Sequence, residues 1–276
     1  MCGDATLSDD VNKLMDGKMA QMCFTDPPYN VDYTGGVDKT GKKHQRDVMQ
    51  NDKMSDESFY NFLSETSKRI IENTIGGVYI CMSAVQLGSL KNAWENNGGH
   101  WQSFIIWVKN NFTLSRSDYQ HIYEPILYGW STEIVNHYFN KSRDIPNVWE
   151  DLREVKTEFD GKYTSIKFHG FEVKIKGKPE GTIRRKKMMT DIWRHDKPIA
   201  SPEHPTMKPI GLCSEAIKNS SRIDDIVIDY FLGSGSTLIA ADKMNRICYG
   251  MELDPIFIDV VIKRWEILTG EKAKQI

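Results

Sequence analysis

The sequence predicts an α/β protein, a doubly wound, mostly parallel sheet interrupted by a β-rich insertion. Three observations carry this. Short apolar runs take turns with amphipathic helical stretches over residues 1–130 and again over 195–276, the pattern of strands and helices in alternation. Residues 131–194 break that rhythm, and Phe171-Glu172-Val173-Lys174-Ile175-Lys176 alternates with period two before the turn residues GKPEG, as a β-ribbon does. Two apolar runs end in turns of special chemistry, TDPPYN at 25–30 and DYFLGSGST at 229–237; open α/β sheets bind ligands at such strand ends. Residues 1–130 and 195–276 are therefore read as one domain, and 131–194 as its insertion.

The elements follow in order. Val11, Leu14 and Met15 share a helical face after Ser8, read as its cap, with Gly17 closing the turn. Residues 20–24 form a short buried strand that runs into the prolines. Residues 35–52 are polar and rich in Gly, Lys and Asp, a long loop. Ser55 caps a helix whose apolar face is Phe59, Phe62, Leu63, Ile70 and Ile71. Gly76-Gly77 releases a strand over 78–82, Leu87, Leu90 and Trp94 mark a helix, and SFIIWV (103–108) and PILYGW (125–130) are strands. After the insertion, HPTMKPIGLCSEAIKN turns helical in its second half. Then IVIDYF (226–231) is strand, SGSTLIAADKM mostly helix, ICYGME (247–252) strand, and PIFIDVVIKRWEIL helix.

Composition narrows the class. A chain of 276 residues with 39% hydrophobic and 27% charged residues can bury a full core as a soluble globular protein. No apolar run approaches the roughly 20 residues that span a bilayer, and no membrane association is expected. The five cysteines (Cys2, Cys23, Cys81, Cys213, Cys248) are scattered and never in CxxC spacing; reduced thiols in a cytoplasmic protein follow. His195 and the other histidines lack metal-ligand spacing and HExxH is absent, so no metal is expected. Net charge is −2, yet residues 162–187 hold nine Lys or Arg against two Glu. That stretch is +7 and the remainder −9, either an electrostatic footprint for a polyanion or a solvated hairpin.

The turn at Asp26-Pro27-Pro28-Tyr29 raises a question of purpose. Proline lacks an N–H and fixes φ, so two in succession cannot continue a central strand. The chain must leave the sheet as a stiff, extended turn that holds a carboxylate and a ring at a set separation. The loop at 229–237 raises a second. A phosphate-binding loop would need a lysine after Gly235, and a dinucleotide fingerprint would need glycine at Leu238. Neither fits. Glu252 ends the next strand, 19 residues beyond Gly233, where an acid can accept both hydroxyls of a ribose. A ligand with a ribose, little phosphate and cationic groups matches, as S-adenosylmethionine does. An ordinary tight strand–helix turn is the plain alternative.

Taken together, TDPPYN at 25–30, HPTMKP at 204–209, DYFLGSGST at 229–237 and GMELDP at 250–255 resemble the S-adenosylmethionine-dependent DNA amino-methyltransferases of the bacterial and phage modification type. Weaker echoes are Gly3-Asp4, the run NDKMSDESFYNFL at 51–63, and WVKNNF followed by HIYEPILYG. The order, catalytic turn first and cofactor loop last, is that family's permuted beta class. The resemblance implies a Rossmann-like domain with its target-recognition region inserted between the two halves. Because the chain starts almost on Gly3-Asp4, we expect an excised or amino-terminally truncated domain.

The resemblance also implies roles. Asp26, Pro27, Pro28 and Tyr29 would be catalytic. Asp26 and the Pro27 carbonyl would accept the two N–H bonds of an exocyclic amino group, and Tyr29 would stack on the base. A stacked duplex base is out of reach, so it would have to be flipped out. Asp4, Thr206, Lys208, Asp229, Phe231, Gly233, Gly235, Thr237 and Glu252 would bind S-adenosylmethionine, with Glu252 on the ribose. Lys174, Lys176, Arg184, Arg185, Lys186 and Lys187 would contact phosphates of double-stranded DNA; six contacts give a salt slope of roughly −5. Lys39, Lys42, Lys43, His44 and Arg46, in the loop after the catalytic turn, either order over the flipped base or serve no role. A homodimer or a larger modification complex is left open.

Asp at the head of the tetrad favours adenine N6 as the target, since the cytosine-N4 enzymes of the family more often carry Ser there. Two other readings compete. Glutamine-amide methylation of a protein uses a related clamp, but with the glycine loop before it. A non-catalytic DNA-binding subunit would be expected to carry a damaged tetrad or loop, and both are intact.

Overall fold

Inside the larger sheet lies β1 (Ala20–Thr25), reached after α1 (Ser8–Met15). The chain continues through α2 (Asp56–Asn73), β2 (Thr74–Cys81), α3 (Leu87–Asn96) and the long strands β3 (Gly99–Thr113) and β4 (His121–Ser131). Three strands, β5 (Lys156–Phe159), β6 (Tyr163–Phe168) and β7 (Phe171–Lys176), precede β8 (Ile192–Arg194). The last part holds α4 (Ile210–Ser220), β9 (Ile226–Asp229), α5 (Ser236–Lys243), β10 (Ile247–Gly250) and α6 (Pro255–Thr269). The computed structural model describes residues 1–31, 53–113, 118, 121–133, 138–139, 156–168, 171–177, 192–195 and 207–275.

Seven strands pair in the order β10-β9-β1-β2-β4-β3-β8. The pairs β10/β9, β9/β1, β1/β2 and β3/β8 are parallel, whereas β4 runs antiparallel to both β2 and β3. The sheet is Rossmann-like and mostly parallel, as the alternation of strands and helices predicts. From β1 the chain moves outward through α2 to β2, and the later strand β9 lies on β1's other side. The strand order therefore reverses at β1/β9, and a crevice is expected at their carboxyl ends.

Both sheet faces are covered. Val78, Ile80 and Met82 pack with Phe59, Leu63, Ile70, Leu90 and Trp94 on one side. Tyr79 and Cys81 pack with Leu212, Cys213, Ala216, Ile217 and Ala240 on the other. The period-two alternation of β2 sends successive side chains into two different cores. Helices α1–α3 serve the first core and α4–α5 the second.

The chain divides into two compact units, Met1–Lys141 with Ile192–Ile276, and Ser142–Asp191. The smaller unit carries an antiparallel sheet β5-β6-β7, in keeping with the period-two pattern at 171–176. β8 lies within the range read from sequence as the insertion, yet it pairs with β3 of the larger sheet.

Local details differ from expectation in three places. Ser8 is the first helical residue rather than the cap; Leu7 holds the cap position with no side-chain hydrogen bond. Gly76-Gly77 does not precede β2 but lies inside it, because a side chain at Gly76 would place its Cβ 1.9 Å from the Gln21 carbonyl oxygen. β9 and β10 each end two residues earlier than expected, at Asp229 and Gly250. Ser55 does cap α2, accepting a hydrogen bond from the Ser58 amide. The loop 35–52, with Lys39, Lys42, Lys43, His44 and Arg46, lies outside the described residues.

Candidate active site

The crevice is built by two adjacent strand ends. β1 delivers Thr25 and then Asp26-Pro27-Pro28-Tyr29; β9 delivers Asp229 and then the glycine turn. A clasp joins them. The Thr25 hydroxyl donates to Asp229 Oδ1 at 2.8 Å and accepts from the Tyr230 amide at 3.1 Å. Asp229 Oδ1 also accepts from the Phe231 amide at 3.1 Å. Two motifs 204 residues apart in sequence thus share one hydrogen-bond network.

On the tetrad side, Pro27 is buried and Asp26, Pro28 and Tyr29 are half-buried. Tyr29 packs against both cores, and its hydroxyl donates to Asp26 Oδ1 at 2.7 Å. Lys208 donates to Asp26 Oδ2 at 2.5 Å and to the Tyr29 hydroxyl at 3.0 Å, and its ammonium lies 5.2 Å from the centre of the Tyr29 ring. Burial opposes a charge on Lys208, but Asp26 and Glu124 outweigh it and raise its pKa. Burial, then Asp26 and Glu124, push the Tyr29 hydroxyl well above its usual value. Asn30, at φ +55°, exchanges hydrogen bonds of 2.6 and 3.1 Å with the Met54 backbone, so the exit of the turn is tied to the start of α2.

On the glycine side, Gly233 and Gly235 adopt φ of +51° and +81°, which side chains resist. The Gly233 amide donates to Glu252 Oε2 at 2.8 Å and the Asp254 amide to Oε1 at 3.1 Å. Each Glu252 oxygen so engaged keeps a lone pair for a further donor. Phe231 is half-buried, its ring 5.7 Å from Phe62. Asp229 is only 3% exposed. Burial pushes its carboxyl up to about 6, against hydrogen bonds from Thr237, Thr25 and the Phe231 amide. Thr237 is buried behind Asp229, its hydroxyl 3.9 Å from the Cys213 sulfur. Asp4 accepts from the Thr6 amide and hydroxyl at 2.9 and 2.7 Å, and the preceding Gly3 amide donates to the Glu252 carbonyl at 3.0 Å.

The fold therefore assembles Asp26, Pro27, Pro28, Tyr29 and Lys208 on one side and Asp229, Phe231, Gly233, Gly235, Thr237 and Glu252 on the other. Ser236 links the two by donating to the Lys208 carbonyl at 2.8 Å. Lys174 and Lys176 are exposed on β7 in the smaller unit. Thr206, Arg184, Arg185, Lys186 and Lys187 lie outside the described residues.

Sequence reasoning missed four residues at the site: Thr25, Ser236, Glu124 and Lys109. Glu124, on β4, lies 3.3 Å from the Tyr29 hydroxyl and 3.4 Å from the Lys208 ammonium, and is ion-paired with Lys109 on β3. Both sit in the weak echoes WVKNNF and HIYEPILYG, where a lone buried-strand lysine and glutamate were the available signal. His195 instead forms a pair with Glu215 at 2.9 Å.

Comparison with known proteins bears on the family and the fold. A family model described as DNA methylase matches residues 20–263. The type II methyltransferase M2.MboI of Moraxella bovis is 26% identical over 259 residues, covering 90% of this chain and 81% of that protein. The crystal structure of the M1.HpyAVI–SAM complex has a similar fold, with a TM-score of 0.59 at 19% identity over 96% of this chain and 97% of that one. The cytosine-N4-specific PvuII DNA methyltransferase gives 0.56 at 12% identity over 98% and 92%. With the match running from the first core strand to the last helix, the chain belongs to the DNA methylase family of N6 and N4 amino-methyltransferases.

Proposed function

We propose that this DNA methyltransferase transfers a methyl group from S-adenosylmethionine to the N6 amino group of a flipped adenine. The observation that carries the reading is the Thr25–Asp229 clasp, which brings an acid-headed proline turn and a glycine turn to one crevice. The groups present suit the donor. Glu252 has acceptor capacity for two ribose hydroxyls, Phe231 offers a half-buried ring, and the positive φ at Gly233 lets backbone approach closely. Asp229, spent on internal hydrogen bonds, shapes that pocket from behind and adds negative charge for a cationic ligand. The donor's sulfonium supplies an electrophilic methyl carbon.

The chain's own residues then activate the nucleophile. An exocyclic amino nitrogen is a weak nucleophile, because its lone pair is delocalised into the ring. Acceptors at Asp26 and the Pro27 carbonyl favour a more tetrahedral nitrogen, with the lone pair aimed at the methyl. As the N–C bond forms and the S–C bond breaks, the nitrogen becomes positive, and the Asp26 carboxylate stabilises it. Stacking on Tyr29 contributes about 1–3 kcal/mol toward holding the base. The smaller unit, with Lys174 and Lys176 exposed on β7, serves as the target-recognition region.

Incubation with methyl-labelled S-adenosylmethionine and mixed DNA, followed by nucleoside analysis, tests this. Labelled N6-methyladenine is expected. N4-methylcytosine would overturn the choice of base, and an unlabelled DNA product would overturn the activity.

A further inference from the structure

Asp26 belongs to a line of four charges. Lys109, Glu124, Lys208 and Asp26 alternate in sign, with side chains 8%, 19%, 10% and 22% exposed. Lys109 pairs with Glu124, and Lys208 lies 2.5 Å from Asp26 and 3.4 Å from Glu124. Two cations balance two anions, as burial of charge requires.

This balance conflicts with the chemistry proposed above. An ammonium against Asp26 Oδ2 takes one of that oxygen's two lone pairs and competes with a base amino group for the other's direction. It also cancels the negative field that would stabilise a nitrogen turning positive. For Asp26 to act, the ammonium needs a second seat. Glu124 Oε2 is already within ion-pair distance of it, and a lysine stem is long enough to swing between two oxygens. On the methyl-transfer reading, we propose that Glu124 is a positioning residue that takes the Lys208 ammonium as the target amino group arrives, freeing Asp26 to accept it.

Two further observations fit. Burial alone would raise the Glu124 carboxyl, but Lys208 and Lys109 outweigh it and hold it at about 2, so Glu124 is anionic whenever the protein is folded near neutrality. The Tyr29 hydroxyl sits between the acids, 2.7 Å from Asp26 Oδ1 and 3.3 Å from Glu124 Oε2. It can follow the ammonium without losing a carboxylate partner. Lys109 competes for Glu124 and so sets how strongly Glu124 draws Lys208. Substitutions of the two partners of the Lys109–Glu124 pair should therefore act in opposite directions, which a purely structural ion pair would not produce.

The test is single-turnover methyl transfer by the full chain, with labelled S-adenosylmethionine and mixed DNA at saturation and cofactor affinity measured in parallel. Glu124→Gln keeps the shape and removes the charge; its rate should fall about tenfold or more, while cofactor Kd changes far less. Lys109→Gln should raise the rate severalfold. An unchanged rate in Glu124→Gln, or comparable slowing in both variants, overturns the role. If Glu124→Gln loses cofactor binding through misfolding, Lys109→Gln decides, and slowing there overturns the role. No transfer by the unaltered protein removes the proposed function and this role together. Normal transfer with an indifferent Glu124→Gln removes only the role.

Discussion

Asp229 sets the residue-scale electrostatics beside the glycine turn. Its carboxyl titrates at about 6, raised from the ordinary 3.8 because burial penalises the charge more than its three hydrogen bonds favour it. If a cationic ligand binds beside it, affinity should weaken as pH falls through about 6 and the negative charge is lost. Asp229→Asn should flatten that profile, and titration calorimetry between pH 5 and 8 would show it. The stability sign is opposite. A raised carboxyl contributes stability fully below the ordinary 3.8, and that contribution is lost as pH rises through about 6. Glu124 behaves conversely: its contribution is present above the ordinary 4.5 and lost as pH falls toward 2. On the tetrad side, Asp26→Ala should abolish methyl transfer while leaving cofactor affinity within a few fold, since Asp26 bonds Lys208 and Tyr29 rather than the glycine turn. Equal loss of both would contradict the assignment. Asp26 was legible from sequence because two prolines announce a stiff turn. Glu124 was not, since nothing local distinguishes a strand glutamate that will meet a lysine 84 positions away.

Among the elements, β2 and α2 show which local rules held. Ser55 caps α2 by accepting from the Ser58 amide at 3.2 Å. Ser55→Ala should cost about 1 kcal/mol, read as a small drop in the denaturation midpoint. Gly76 has a larger structural consequence. A Cβ there would meet the Gln21 carbonyl oxygen at 1.9 Å, so β1 and β2 would have to separate. Gly76→Ala should destabilise the fold by about 2 kcal/mol or more, visible in the same denaturation experiment; a neutral result would mean the strands part easily. The glycines read from sequence as a strand's release are in truth the place where two backbones meet. A glycine signals only that a side chain is not tolerated. It does not say whether the reason is a turn or a neighbour.

Over the whole molecule, charge is divided between the units. The stretch 162–187 is strongly basic on an otherwise acidic chain, which favours DNA contact through that region even at a net charge of −2. Lys174→Ala with Lys176→Ala should reduce the salt dependence of DNA binding by about 2 in log–log slope. Adding Arg184, Arg185, Lys186 and Lys187 to Ala should flatten it further. Binding isotherms over a range of salt would check both, and an unchanged slope would make the basic stretch a solvated surface.

The sequence alone determined the fold class, the two special turns at 25–30 and 229–237, and the β-ribbon at 171–176. Each is encoded locally, by proline and glycine stereochemistry or by the period of apolar residues. The tertiary structure alone decided which side chains meet. Asp26 finds Lys208 from 182 residues away, and Tyr29 finds Glu124 from 95 away. Those partners are set by the strand order around β1, where β9 lies on one side and the antiparallel β4 stands beyond β2 on the other. Such contacts depend on how the whole sheet is wound, and no single stretch of chain contains that information.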